Sequence, residues 1–249
     1  MSSSVQRKRI RKDPAARRAE IVTTAAAVAL AEGLECVTLR RIGEELAVRP
    51  GLISHYFPSA EELVAEAFGH AATAELDRLL PGAEGGAGEP EPGTATAATA
   101  GDRAAPSGTA PSGAGTVDAG PLVRLRRFLG RTTGEDYDAI SRLWINARHL
   151  SRYRPLLRER VARQEAAWRG RLEELIRDGV AAGEFRTADP LGAAVQILVV
   201  LDGLGVHVNT VTPARPAVVL RMAHGTAERE LGLPAGVLGH PEPTEQSPS

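Results

Sequence analysis

"TLRRIGEELAVRPGLISHYF", from Thr38 to Phe57, contains two short apolar-faced segments that meet at "VRPG". Leu39, Ile42 and Leu46 recur at helical spacing, which predicts a first helix with one buried face. Thr38 stands where a hydroxyl can cap the free N–H groups of that helix. Gly43 lacks a side chain, so another helix can cross closely there. The second segment opens on Pro50, and proline suits a first helical position because its missing N–H would be unpaired anyway. A short helix from about Pro50 to Tyr56 follows, with Ile53 and Phe57 turned into a small core. Helix, tight turn and short helix together make a helix-turn-helix, whose second helix fits the major groove of DNA.

That reading explains the composition of the stretch. Arg49 can reach a phosphate or a guanine edge, and Pro50 and Gly51 let the backbone come close to the duplex. Ser54, His55 and Tyr56 offer hydroxyl or imidazole groups to bases and phosphates. Thr38 sits at a helix N-terminus, where a phosphate finds free N–H groups. Arg40 joins these as a DNA-binding candidate.

Working outward, Ile21, Ala25 and Val28 share one face of a helix predicted from Arg17, with Gly33 as its cap. "SAEE" from Ser59 is a capping box that opens a fourth helix. Further helical patterns cover about 122–132, 136–150, 154–182, 190–209 and 216–231. No segment alternates as a strand does. The chain is therefore expected to be all-α. An N-terminal three-helix helix-turn-helix domain at 17–62 precedes a C-terminal helical bundle at 63–231. Three stretches fall outside this pattern. Residues 1–16 form a basic arm that Pro14 should keep from being helical. Residues 81–120 are Gly, Ala, Pro, Thr and Ser with Val117 as the only larger aliphatic side chain, too little apolar surface to offset ordering. They are expected to be a disordered insertion, as is the Pro- and Gly-rich tail at 232–249.

The totals agree with a DNA partner. Net charge is −1 over 249 residues, yet residues 1–60 hold ten Arg and Lys against six Asp and Glu, while the rest holds twenty against twenty-five. A basic end on an acidic body suits a polyanion. Cys36 is the only cysteine, which excludes an intrachain disulfide and fits a reducing cytoplasm. No uncharged run reaches the length of a membrane span, and the basic start lacks the apolar core of a secretory signal. No phosphate-binding glycine loop and no nucleophile elbow occurs, and His149 and His207 lack the helical partner a metal site needs. Neither an enzyme nor a cofactor is expected.

Residues 17–68 resemble the DNA-binding domain of TetR-family transcriptional regulators, through Gly33, Thr38, Ile42, Gly51, Tyr56–Phe57, Ser59 and Leu63 in that order. "GLISHYF" is similar to the subgroup of the choline-responsive betaine regulator. One position departs: the family often carries lysine two residues after Pro58, where this chain has Ala60. The resemblance implies a cytoplasmic regulator, usually a repressor, released from a palindromic operator by a small-molecule effector. It also implies a homodimer built on the last two helices, about 190–209 and 216–231. The apolar composition of 191–208 supports this independently, since such a helix needs cover on more than one face. Effector candidates are Trp144, Asn146, His149, Trp168, Asp202 and His207, polar or aromatic groups within apolar helices. The competing expectation is an architectural DNA-binding protein that ignores sequence and has no effector.

Overall fold

The computed structural model describes residues 13–82, 119–134, 137–210 and 217–239. Most of the arm, the insertion from 83 to 118 and the tail from 240 lie outside the described residues. Among the described residues there are nine α-helices, one short 3-10 turn and no strand.

Helix α1 spans Pro14–Glu32. It opens three residues before the sequence pattern suggested, and Pro14 starts the helix instead of interrupting it. Asp13 is the reason: its carboxylate accepts the N–H groups of Ala15 and Ala16 at 3.0 and 3.2 Å, and proline at the first position sacrifices no hydrogen bond. The helix ends at Gly33, whose φ of 99° and ψ of 161° suit glycine alone. A 3-10 turn, Leu34–Cys36, leads to α2, Leu39–Glu45. Helix α3 is Pro50–Tyr56. Between them Ala47 adopts a left-handed φ of 51°, and the Val48 N–H donates to the Gly43 carbonyl at 2.9 Å. A methyl group on Gly43 would lie 3.2 Å from the Val48 oxygen and 3.5 Å from Pro50 Cα. The bare glycine thus permits the tight turn that sets α3 against α2.

Helix α4, Ala60–Leu79, begins where Ser59 Oγ accepts the Glu62 N–H at 3.1 Å. It buries Leu63, Val64, Phe68, Ala72 and Leu76 and packs on α1 and on the long helix Pro155–Ala181. Because α4 serves both halves, the buried residues form one continuous core from Ile21 to Leu238. Phe57 lies wholly buried in it, beneath the Arg18 guanidinium 4.8 Å from its ring centre. Phe57→Ala should cost about 3–5 kcal/mol of stability by cavity formation. A urea titration measures it, and a loss under about 1 kcal/mol would mean that Phe57 does not anchor the motif.

The body comprises α5, Pro121–Thr132; α6, Asp138–Ser151; α7, Pro155–Ala181; α8, Pro190–Thr210; and α9, Ala217–Glu230. Prolines open α5, α7 and α8, and Asp189 caps α8 by accepting the Gly192 N–H at 2.9 Å. By length and composition α8 is apolar enough to cross a membrane, but it packs against α6, α7 and α9. Leu191, Val195, Val199 and Val206 remain as an exposed stripe on it, joined by Val218 and Met222 on α9.

The predicted disordered tail needs correction for 232–239. Leu238 is buried, its N–H donates to Glu228 at 3.0 Å, and Arg126 donates to the Val237 carbonyl at 2.6 Å. One apolar side chain and two charged anchors hold this short return against the body, despite its proline and glycines.

Candidate DNA-binding face and ligand cavity

The eight DNA candidates gather on two neighbouring elements. Thr38, Arg40, Arg49, Pro50, Gly51, Ser54 and His55 are exposed, and Tyr56 is half-buried. Thr38 Oγ1 accepts the Arg41 N–H at 3.0 Å, so it caps α2 as its position suggested. Arg40 pairs with Glu44 one turn on, at 2.8 Å. An exposed pair of this kind is worth only about 0.3–0.5 kcal/mol, so a phosphate can take the arginine from it. Arg49 has no ion pair among the described residues. Gly51 faces open space, consistent with a surface kept bare for a partner. Ser54 Oγ donates to the Gly51 carbonyl at 3.2 Å. The rings of His55 and Tyr56 meet edge to face, 5.2 Å between centres, and the Tyr56 ring rests on the core. Ile53 and Phe57 point inward on the opposite side, wholly buried.

A second site lies in the body. A cavity of about 220 Å³ opens between α6, α7 and α8, lined by Tyr137, Trp144, Arg148, Glu165, Trp168, Asp202 and the valines of α8. Its volume falls below the roughly 300–1,000 Å³ typical of drug-sized ligands, so it suits a small molecule. Trp144 stands edge to face with Trp168 at 6.0 Å and with Phe68 at 5.0 Å. Trp168 Nε1 donates to the Ala72 carbonyl at 3.3 Å, which fixes its ring.

Charge is concentrated on one wall. Arg148 donates from Nε to Glu165 at 3.0 Å and from Nη2 to Asp202 at 2.8 Å. Its guanidinium lies 5.0 Å from the Trp144 ring centre. Burial opposes the Arg148 charge, but the bonds to Asp202 and Glu165 outweigh it and hold the guanidinium above its usual range. Burial lifts the Asp202 carboxyl above the usual aspartate range; Arg148 opposes that rise and Glu165 adds to it. Asp202 keeps 45% of its side-chain surface open, so its desolvation is partial. Tyr137 is held protonated by burial, with the charges of Asp202 and Glu75 adding to the effect.

Of the six effector candidates, Trp144, Trp168 and Asp202 line this cavity, whereas Asn146, His149 and His207 do not. His149 is exposed and packs on Tyr153 at 6.2 Å. His207 lies past the cavity, near the end of α8. Asn146 points the other way on α6. Its Oδ1 accepts the Leu34 N–H at 2.8 Å, and its Nδ2 donates to Glu35 at 2.7 Å. Leu34 opens the 3-10 turn, so its N–H has no partner within that turn. Asn146 therefore ties the cavity helix to the segment leading into α2. A parallel tie runs from α4 to α7, where Glu61 accepts the Leu156 N–H at 3.0 Å.

Sequence reading missed Tyr137, Arg148 and Glu165. Arg148 stands four residues after Trp144, and Glu165 three before Trp168, spacings that put each pair on one helix face. Those spacings were a usable signal. Tyr137, at the entrance to α6, gave none.

A helix-turn-helix with an exposed polar face, joined through one core to a helical bundle, is the architecture of a DNA-binding regulator. Residues 21–67 match the model of bacterial regulatory proteins of the tetR family, and residues 122–232 match that of the BetI-type transcriptional repressor C-terminal domain. The chain belongs to the TetR family, and its function is that of a transcriptional regulator, not an enzyme. Members of the family bind double-stranded DNA, act as homodimers and bind small-molecule effectors. No curated protein matches the chain. Among solved structures, reduced NemR of E. coli is 14% identical with a TM-score of 0.62, the match covering 88% of this chain and 98% of that one. GusR of Salmonella enterica is 18% identical with a TM-score of 0.59, covering 89% and 98%. A chain assigned as a transcriptional regulator from Saccharomonospora viridis, in complex with choline, is 22% identical with a TM-score of 0.58, covering 86% and 95%. At these identities the likeness establishes the fold.

Proposed function

We propose that this protein is a cytoplasmic repressor that occupies a palindromic operator as a homodimer and leaves it when a small molecule fills the α6–α7–α8 cavity. The observation that carries this reading is the double duty of α6. One face presents Trp144 and Arg148 to the cavity, and the other holds Leu34 and Glu35 through Asn146. A shift of α6 on ligand binding reaches the 3-10 turn directly, and from it Thr38 and α2. The exposed stripe of Leu191, Val195, Val199 and Val206 on α8, with Val218 and Met222 on α9, is the surface for a second copy. Val195 and Val199 also line the cavity, so the partner would cover its mouth. The Saccharomonospora relative holds choline, so small organic cations are the first compounds to test.

Ligand can release DNA only through its different affinity for two states, usually about 1–3 kcal/mol of coupling. Asn146→Ala should leave operator affinity and ligand affinity near wild type while cutting that coupling below about 0.5 kcal/mol. Leaving the Leu34 N–H unpaired should also lower stability by about 1–3 kcal/mol, which a melting curve checks. Operator titrations by fluorescence anisotropy, with and without a compound that quenches the tryptophans, measure the effect. Full coupling in the variant would exclude the Asn146 route.

A further inference from the structure

The charged wall of the cavity already holds a cation, and that cation belongs to the protein. The Arg148 guanidinium sits against the Trp144 ring and bridges Glu165 and Asp202, an aromatic face and two carboxylates, which are the contacts that an organic cation seeks in an aromatic-lined site. The same side chain lines both the main cavity and a constricted extension of about 10 Å³ bounded by Ser141, Ile145 and Gly205. Thirty-six per cent of its side-chain surface is open to solvent, so it can swing outward and remain hydrated. We propose that Arg148 is a tethered competitor: it fills the seat of a small organic cation, and the cation binds by displacing it. This rests on the reading of the cavity as the effector site.

An anionic ligand fits the observations less well. It would have to approach Asp202 and Glu165 after breaking both of their bonds to Arg148. Arg169, at the exposed rim, offers a single opposing charge. A neutral ligand gains nothing from displacing the guanidinium and would leave two carboxylates unpaired. A cation restores both pairings and the ring contact. Displacement also cuts both ion pairs that Arg148 makes from α6 to α7 and α8 at this wall, so cation entry and helix rearrangement become one event. The apparent dissociation constant is the intrinsic one divided by the fraction of molecules with the seat free, so a competitor present about nine-tenths of the time weakens binding about tenfold.

The test uses tetramethylammonium and its neutral counterpart tert-butanol as probes. The chain has two tryptophans, Trp144 and Trp168, and both line the cavity, so intrinsic fluorescence reports its occupancy alone. In the full-length chain, Arg148→Gln is expected to bind tetramethylammonium at least about tenfold more tightly than wild type, with no matching gain for tert-butanol. Arg148→Lys keeps a tethered cation and should show little gain. In Arg148→Ala, methylguanidinium should bind and compete with tetramethylammonium, which also serves if the glutamine variant folds poorly. Equal or weaker cation binding by both Arg148→Gln and Arg148→Ala would overturn the proposal. So would an equal gain for tert-butanol, since that would report freed volume only. If the variant gains cation affinity but the bound cation leaves operator affinity unchanged, the competitor role stands and the effector role of the cavity falls.

Discussion

His55→Ala is expected to weaken operator binding by about 2–6 kcal/mol, because a base contact is worth about 1–3 kcal/mol and a dimer loses it twice. The side chain is exposed on α3, so its removal should change stability by less than about 0.5 kcal/mol. It does not line the cavity, and ligand binding to the free protein should be unchanged. Arg49→Ala should act in the same direction on the same face. Tyr56→Phe isolates one hydroxyl and should cost less, since the ring stays on the core. Titrating the variants against operator and against random DNA separates base reading from phosphate contact. Loss confined to operator marks α3 as the reading helix; equal loss on both DNAs reassigns His55 to the backbone.

Val206→Glu is expected to abolish dimerisation and reduce operator affinity by about three orders of magnitude or more, to the level of non-specific binding. In the isolated chain Val206 is 47% exposed, and glutamate there is harmless to the fold. In the proposed dimer the same stripe meets itself across a two-fold axis, so each substitution would bury a charge in an apolar contact, twice per dimer. Val206 does not line the cavity, so glutamate there makes no direct contact with a ligand. Light scattering gives the mass and an operator titration gives the affinity. A dimer of wild-type affinity would move the interface away from α8.

The helix-turn-helix was legible because every local signal there agreed. Thr38 capping, the bare Gly43, Pro50 at a first position, and Ile53 with Phe57 inward all point to one geometry, and each signal depends on neighbours in sequence. The cavity was half legible. Trp144, Trp168 and Asp202 stand out as aromatic or charged groups in apolar helices, but the pairing of Asp202 with Arg148 spans α6 and α8 and leaves no periodic trace. Asn146 shows the limit most clearly. Its residue type suggested a ligand contact, whereas its partner is a backbone N–H in a turn more than a hundred residues earlier. Pro14 and the 232–239 return were misjudged for a related reason. Composition signalled a break, and single charged side chains, Asp13 and Glu228, supplied the hydrogen bonds that kept the chain ordered.

A nuclease footprint on the DNA flanking the protein's own coding region tests the central claim most directly. Two recognition helices in a two-fold dimer must enter successive major grooves on one side of the duplex, about 34–36 Å apart. The expected result is a discrete protected palindrome with half-sites about one helical turn apart. That protection should disappear with His55→Ala and with Val206→Glu. Protection spread evenly along the DNA, or unchanged in both variants, would contradict a sequence-reading dimer and leave an architectural binder in its place.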